Sequence, residues 1–312
     1  MIDYILQPLT ANKQVEVIKL RQQPKNIAVR LCRFIRPYLF NRKGFLSRRI
    51  YKNAFLAKLS EIQHDDSVLV FGIDTLKDIM MLDKEIVSVH KHVFMWNPIS
   101  FKCPTLLSKI HFEHFMKAVR MKKYTFDPID AVQYGFIQIN QVYRLPDVLT
   151  CNSNSKLYSD IFTAMKDKGR SQTICLVLHL CKEANLSTDF YIVKDGKTVN
   201  RKELERFYAK EFLPYPDILQ HVMRARCLLE ILQEGQSGVT LRTMEALFLH
   251  KKLITNNPHI VDYDFYTPNN ILVFDRSTTA QEISDFLDRP MTAVSQTIID
   301  QHEIRNWIKT FM

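Results

Sequence analysis

Two spacings of apolar residues alternate along this chain. Short, nearly continuous apolar runs at 67–73 (SVLVFGI), 92–96, 123–126, 157–165, 190–193, 228–232, 252–255 and 271–275 have the length and content of strands buried on both faces. Between them lie stretches whose apolar residues recur every three or four positions: 75–82, 101–119, a helix opened by Asp127-Pro128-Ile129-Asp130, 171–184, 201–211, a helix from Tyr215, 240–248, 279–287, and a last amphipathic helix running to the carboxyl terminus. Residues 1–9 suggest a strand, 14–22 a polar helix and 46–59 a helix. Strand and helix in alternation predict an α/β protein with parallel sheets. The polar run TCNSNS at 150–155 predicts a hinge between a domain over 1–150 and one over 151–312.

The stretch 228–257 organises the second half. An apolar run is broken by Glu234-Gly235-Gln236-Ser237-Gly238, then Thr240 stands as an N-cap before Leu241, Met244, Leu247 and Phe248, which share one helical face. A glycine loop entering a helix aims unpaired N–H groups, and the positive end of the helix dipole, above the strand ends. Such a place seats a diphosphate. Glu245 lies within reach of a sugar diol beside it, or pairs with Arg242 one turn earlier; both readings stay open.

Composition narrows the class. Seven glycines and twelve prolines in 312 residues exclude collagen-like and low-complexity chains. No apolar run has the length of a membrane span, and the amino terminus lacks a signal-peptide pattern. Six dispersed cysteines form no C-x-x-C pair, which predicts reduced thiols and a cytoplasmic protein. His111 and His114 belong to no H-E-x-x-H, and Asp262-Tyr263-Asp264 is a D-x-D of the frequency chance provides, so no metal is expected.

The net charge of +10 is uneven: residues 1–60 hold thirteen Lys or Arg against Asp3 and Glu16. Within 25–50, Ile27, Leu31, Phe34, Ile35, Leu39, Phe40 and Phe45 interleave with Arg30, Arg33, Arg36, Arg42, Lys43, Arg48 and Arg49. That pattern suits an interfacial helix on an anionic membrane, or a packed helix with a solvated basic face, better than a nucleic-acid surface.

Asp167-Lys168-Gly169-Arg170 falls at the end of one predicted strand, as EGQSG does at another. In a parallel sheet ligands sit beyond the carboxyl ends, so Lys168 and Arg170 are expected to bring cations to a phosphate over Gly238.

The runs DKGR, EGQSGVTLRTMEAL, KKLITNN and IVDYDFYTPNNILVFDR, with FGID, WNP and TFDPIDAVQYG upstream, resemble a group of bacterial glycosyltransferases of lipopolysaccharide or capsule assembly over roughly residues 67–276. The resemblance implies a GT-B-type architecture, two Rossmann-like domains facing each other across a cleft, with the nucleotide-sugar donor on the second and the acceptor on the first. It implies Glu245 at the ribose, Gly235, Ser237, Gly238, Thr240 and Arg242 around the diphosphate, and Lys168, Gly169 and Arg170 opposite. No cofactor or metal is implied beyond the donor, UDP- or GDP-linked. The acceptor is a lipid-linked or glycan hydroxyl, and the enzyme is peripheral at the inner face of the cytoplasmic membrane. Where a general base is needed, Asp74, Asp127 and Asp130 of the first domain are the candidates, each also placed to cap a helix. The opening strand and glycine turn usual in such first domains are not evident. The rival expectation is a non-catalytic adaptor with the same body that binds membranes or polyanions.

Overall fold

The computed structural model describes residues 1–22, 27–29, 49–99, 105–145 and 159–312. Most of the basic segment 25–50 and the whole expected hinge 150–155 lie outside the described residues. The chain forms two compact units, Ile2–Asn140 with the returning segment Ile308–Met312, and Gln141–Trp307. Residues after Asn140 join the second unit because Tyr143 is bound there. Its N–H donates to the His302 carbonyl at 2.8 Å, and its own carbonyl accepts from the Ile304 N–H at 2.8 Å.

The first unit is a parallel sheet ordered β1 (Ser67–Phe71), β2 (His90–Met95), β3 (Lys122–Thr125), β4 (Ile137–Gln138). Helices Leu76–Glu85, Leu106–Ala118 and Pro128–Tyr134 connect successive strands. Ile79, Met81, Val93, Met95, Phe112 and Met121 lie in its core. The returning segment seals the sheet from below: Ser67 Oγ donates to the Phe311 carbonyl, and the Phe311 ring meets His92 and Tyr124 edge-on with centroids 5.4 and 5.0 Å away.

The amino-terminal expectations are corrected. Residues 1–9 form no strand; Ile2–Leu6 is an α-helix and Gln7–Ala11 a 3-10 turn, because Ile5 and Leu9, one helical turn apart, are the residues buried. Residues 14–22 form no helix: Ile18 and Leu20, two apart as in a strand, pack on the core, and Gln22 bridges Tyr51 antiparallel. That bridge interrupts the helix expected over 46–59: Arg49 and Ile50 are helical, Tyr51 lies in the bridge, and a helix resumes over Asn53–Glu61.

The second unit is a six-stranded parallel sheet ordered β10-β9-β8-β5-β6-β7. Its strands are β5 (Ser159–Lys166), β6 (Thr188–Val193), β7 (Tyr208–Ala209), β8 (Ala225–Glu230), β9 (Lys252–Thr255) and β10 (Ile271–Val273). The chain builds outward from β5 through β6 to β7, returns by helix Tyr215–Met223 to the other side of β5, and continues through β8, β9 and β10. This is the doubly wound Rossmann order, and its reversal point lies between β5 and β8. Ile161, Leu229 and Ile254 from three of these strands are wholly buried against helices Ser171–Glu183 and Ala280–Asp288.

Three details differ here from the apolar pattern. Residues 202–207 are 3-10, releasing Tyr208 and Ala209 to pair with β6. β8 begins earlier than expected, at Ala225, where helix Tyr215–Met223 has closed. The last helix is broken, Gln296–His302 then Ile304–Trp307, because Glu303 turns extended to bridge Tyr143.

Candidate functional site

Both loops singled out in the sequence emerge at the reversal point. After β5, Asp167 is fully buried and folds the turn around itself: Oδ1 accepts the N–H of Gly169 at 2.9 Å and of Arg170 at 3.1 Å, and Oδ2 accepts from Ser171 Oγ at 2.6 Å. Lys168 and Gly169 are both left-handed, at φ 49° and 83°. Lysine adopts that conformation at a cost.

Arg170 spans the two strands. Its Nε donates to the Asp167 carbonyl at 3.0 Å, and its terminal nitrogens donate to the carbonyls of Lys166, the end of β5, and Ile231, just past β8. It ties the DKGR turn to the start of the glycine loop, with its guanidinium largely committed to the backbone. Burial pulls its proton affinity down to about 10, opposed by Asp167, Asp195 and Glu230. Lys168 is the exposed cation of the turn; burial, then Arg170 and Lys166, lower its proton affinity.

The glycine loop is held from β9. Asn257, wholly buried, donates from Nδ2 to the Ser237 carbonyl at 3.3 Å, and Asn256 Oδ1 accepts the Leu232 N–H at 2.7 Å. Gly235 at φ 81° takes a backbone form that side chains disfavour. Ser237 and Gly238 are buried. Thr240 caps helix Leu241–Phe248 by accepting the Arg242 N–H at 3.0 Å.

Beneath that cap stands Glu230, 3% exposed, accepting from the hydroxyls of Thr240, Thr243 and Thr255 at 2.5, 2.7 and 2.5 Å. One carboxylate thus locks the helix start to β8 and β9. An acid ending an otherwise apolar strand was the signal for it, and the sequence reading did not use that signal.

Glu245 takes the alternative in which it pairs with Arg242, at 2.5 Å. Its other oxygen accepts from the Tyr215 hydroxyl at 2.8 Å, and the Tyr143 hydroxyl lies 2.7 Å from that of Tyr215. Arg242 also lies over the Phe162 ring at 5.1 Å. Burial raises the Glu245 carboxyl and pushes the Tyr215 hydroxyl well up, Arg242 and Tyr215 opposing the former. Glu245 is therefore the centre of a buried network. Tyr215, thirty residues away in sequence, gave no local sign of this role.

In the first unit the three candidate bases are engaged. Asp74 accepts from the Trp96 N–H at 3.0 Å and from Asn97 Nδ2. Asp127 caps Pro128–Tyr134 through the N–H groups of Ile129 and Asp130, both at 3.1 Å. Asp130 accepts the Ile99 N–H at 2.5 Å. Asp127 and Asp130 are buried, and all three carboxylates hold backbone or side-chain N–H groups of their own unit, Asp127 in the capping alternative that the sequence also offered. Asp262 and Asp264 are exposed, and among the described residues no three His, Cys, Asp or Glu side chains group as metal ligands.

The second unit therefore brings the DKGR turn and the glycine loop with its helix start together at the reversal point of a Rossmann-ordered sheet. No family model matches this chain, and no curated protein matches it. Among solved structures it is similar to a UDP-GlcNAc 2-epimerase of Methanocaldococcus jannaschii, in complex with UDP-GlcNAc and UDP. Identity is 14% over 83% of this chain and 79% of that one, with a TM-score of 0.40. It is also similar to the glycotransferase of kitacinnamycin, at 10% identity over 95% of this chain and 83% of that one, with a TM-score of 0.39. Likeness at this level gives no residue-by-residue correspondence; the chain's own strand order defines its fold.

Proposed function

We propose that the protein is a glycosyltransferase that moves a sugar from a UDP- or GDP-linked donor to a hydroxyl of a lipid-linked or polysaccharide acceptor, without a bound metal. The observation that carries the reading is that the DKGR turn and the glycine loop, chosen from sequence as a phosphate seat, both leave the sheet at the β5/β8 reversal point, joined there by Arg170. Nucleotides bind at such points because strand ends, loop N–H groups and a helix start converge on them.

In the proposed reaction the acceptor oxygen attacks the anomeric carbon as the bond to the diphosphate breaks, and the hydroxyl proton passes to the departing diphosphate or to solvent. The charge that develops on the leaving phosphate is met by Lys168 and by the amino end of helix Leu241–Phe248. A phosphate beside Lys168 opposes the burial and the neighbouring cations that lower its proton affinity. Arg170 and Glu230 act one step back by fixing the two walls. Glu245, buried and already bound to Arg242 and Tyr215, reaches a ribose diol only if donor binding opens that network to it.

Calorimetric titration with UDP and with GDP tests the reading. One of them should bind, and Lys168→Ala should weaken it by about tenfold, the worth of one charge-assisted contact. Sugar transfer should persist in excess chelator. An absence of binding by either diphosphate rejects the proposal.

A further inference from the structure

Lys168 and Arg170 do not exhaust the positive charge at this edge. β5 ends on Lys166, and the loop after β6 carries Lys194, Asp195, Gly196 and Lys197. Asp195 fastens this loop to the DKGR turn: Oδ2 accepts the Lys168 N–H at 3.1 Å and Oδ1 the Lys197 N–H at 3.0 Å. Its own N–H donates to Thr198 Oγ1 at 2.9 Å, which sets the turn. The loops abut so closely that a Cβ on Gly169 would stand 3.9 Å from the Lys197 Cβ. Above Gly196 the space is open, since a Cβ there would meet nothing within 4 Å.

The lysines of this cluster differ in what they hold. Lys194 is committed, its Nζ donating to Asn200 Oδ1 at 2.8 Å and lying 4.2 Å from the Tyr208 ring centroid. Lys166 and Lys197 are exposed and pair with no carboxylate among the described residues. Together with Arg170 they help lower the proton affinity of Lys168, which Asp195 opposes, so like charges crowd here. β6 flanks β5 on the side away from β8. The loop that carries Lys197 follows β6, on the far side of β5 from the glycine loop after β8, so an anion that Lys197 holds is distinct from the one over the glycine loop, with Lys166 at the end of β5 between the two.

We propose that Lys166 and Lys197, with Lys168 between them and the diphosphate seat, form a second oxyanion subsite. It takes a carboxylate or phosphate ester that the substrate carries beyond its nucleoside diphosphate. The inference rests on the nucleotide-sugar reading of the same site and specifies its substrates as acidic. The anion has two possible sources, the transferred sugar or the acceptor.

Calorimetry on the full chain separates them. UDP-glucuronate is compared with UDP-glucose and GDP-mannuronate with GDP-mannose, and glucose 6-phosphate is titrated with the nucleoside diphosphate saturating. Lys197→Ala and Lys166→Ala are compared with Lys182→Ala, an exposed lysine in the last turn of helix Ser171–Glu183, and melting temperatures confirm that each variant folds. An acidic-sugar preference of about tenfold that falls in the first two variants and survives in the third places the anion on the donor sugar. Sugar phosphate binding with the same dependence places it on the acceptor. If a diphosphate binds yet neither anionic arm changes in Lys197→Ala or Lys166→Ala, the subsite is overturned and the diphosphate seat stands. If no diphosphate binds, the function and the subsite fall together.

Discussion

Glu230 accepts from three threonine hydroxyls that arrive from a helix cap, a helix and a strand. Glu230→Ala leaves all three without their acceptor, and the expected cost is about 3–5 kcal/mol, read as a lowered denaturant midpoint. Glu230→Gln should cost less, because an amide oxygen still accepts. A second residue sets a pH dependence. His302 is buried with Nδ1 2.7 Å from the Gln141 carbonyl, and burial holds its proton affinity below the ordinary value. Below about pH 6.5 the unfolded chain takes up a proton that the folded chain refuses. The contribution is therefore complete above that pH and declines as acidity rises. Denaturant midpoints measured across pH 7.5 to 5.5 should fall, and His302→Gln should flatten the fall. At this scale the sequence displayed the residues but not their partners. The alternative pairing of Glu245 with Arg242 was legible from helix spacing, whereas Tyr215 reaches Glu245 only through tertiary packing.

Among elements, those that bury both faces in a sheet were the most legible. β9 was predicted at its observed limits, the cap at Thr240 stands where the sequence places it, and the helix expected from Thr279 runs over Ala280–Asp288 with Thr279 as its cap. Thr240→Val removes a cap and one of the Glu230 donors, so about 1–2 kcal/mol of stability and part of the diphosphate affinity should go together. Melting temperature and calorimetry on the same sample check this. The amino-terminal elements were misread because Ile5, Leu9, Ile18 and Leu20 are too few, over too short a span, to separate one period from the other without the surface they pack on. The basic segment 25–50 is best tested by charge. Val29 and Ile50 are buried in the first unit, so deleting the segment would damage its core. Arg33, Arg36, Arg42 and Lys43 changed together to Glu should abolish sedimentation with anionic vesicles if the membrane expectation holds, and leave nucleotide binding intact.

For the molecule as a whole, strand-helix alternation conveyed two parallel sheets, but not the order of their strands, on which the reversal between β5 and β8 depends. Nor did it reveal that residues beyond Trp307 leave the second unit for the first. That return depends on which strand's amino end is uncovered, a property of the assembled sheet and not of any local run. Phe311→Ala should cost the first unit about 3–5 kcal/mol by emptying the place between His92 and Tyr124. Tyrosine fluorescence and limited proteolysis of that unit should report the loss.

The same return orders events during synthesis. Strands β1, β2 and β3 leave the ribosome early and can pair, yet the ring that closes their lower edge is added only after the whole second unit has been translated. Of the two units, the one whose strands come first is thus the one completed last, and a nascent chain stalled before Phe311 carries that edge uncovered.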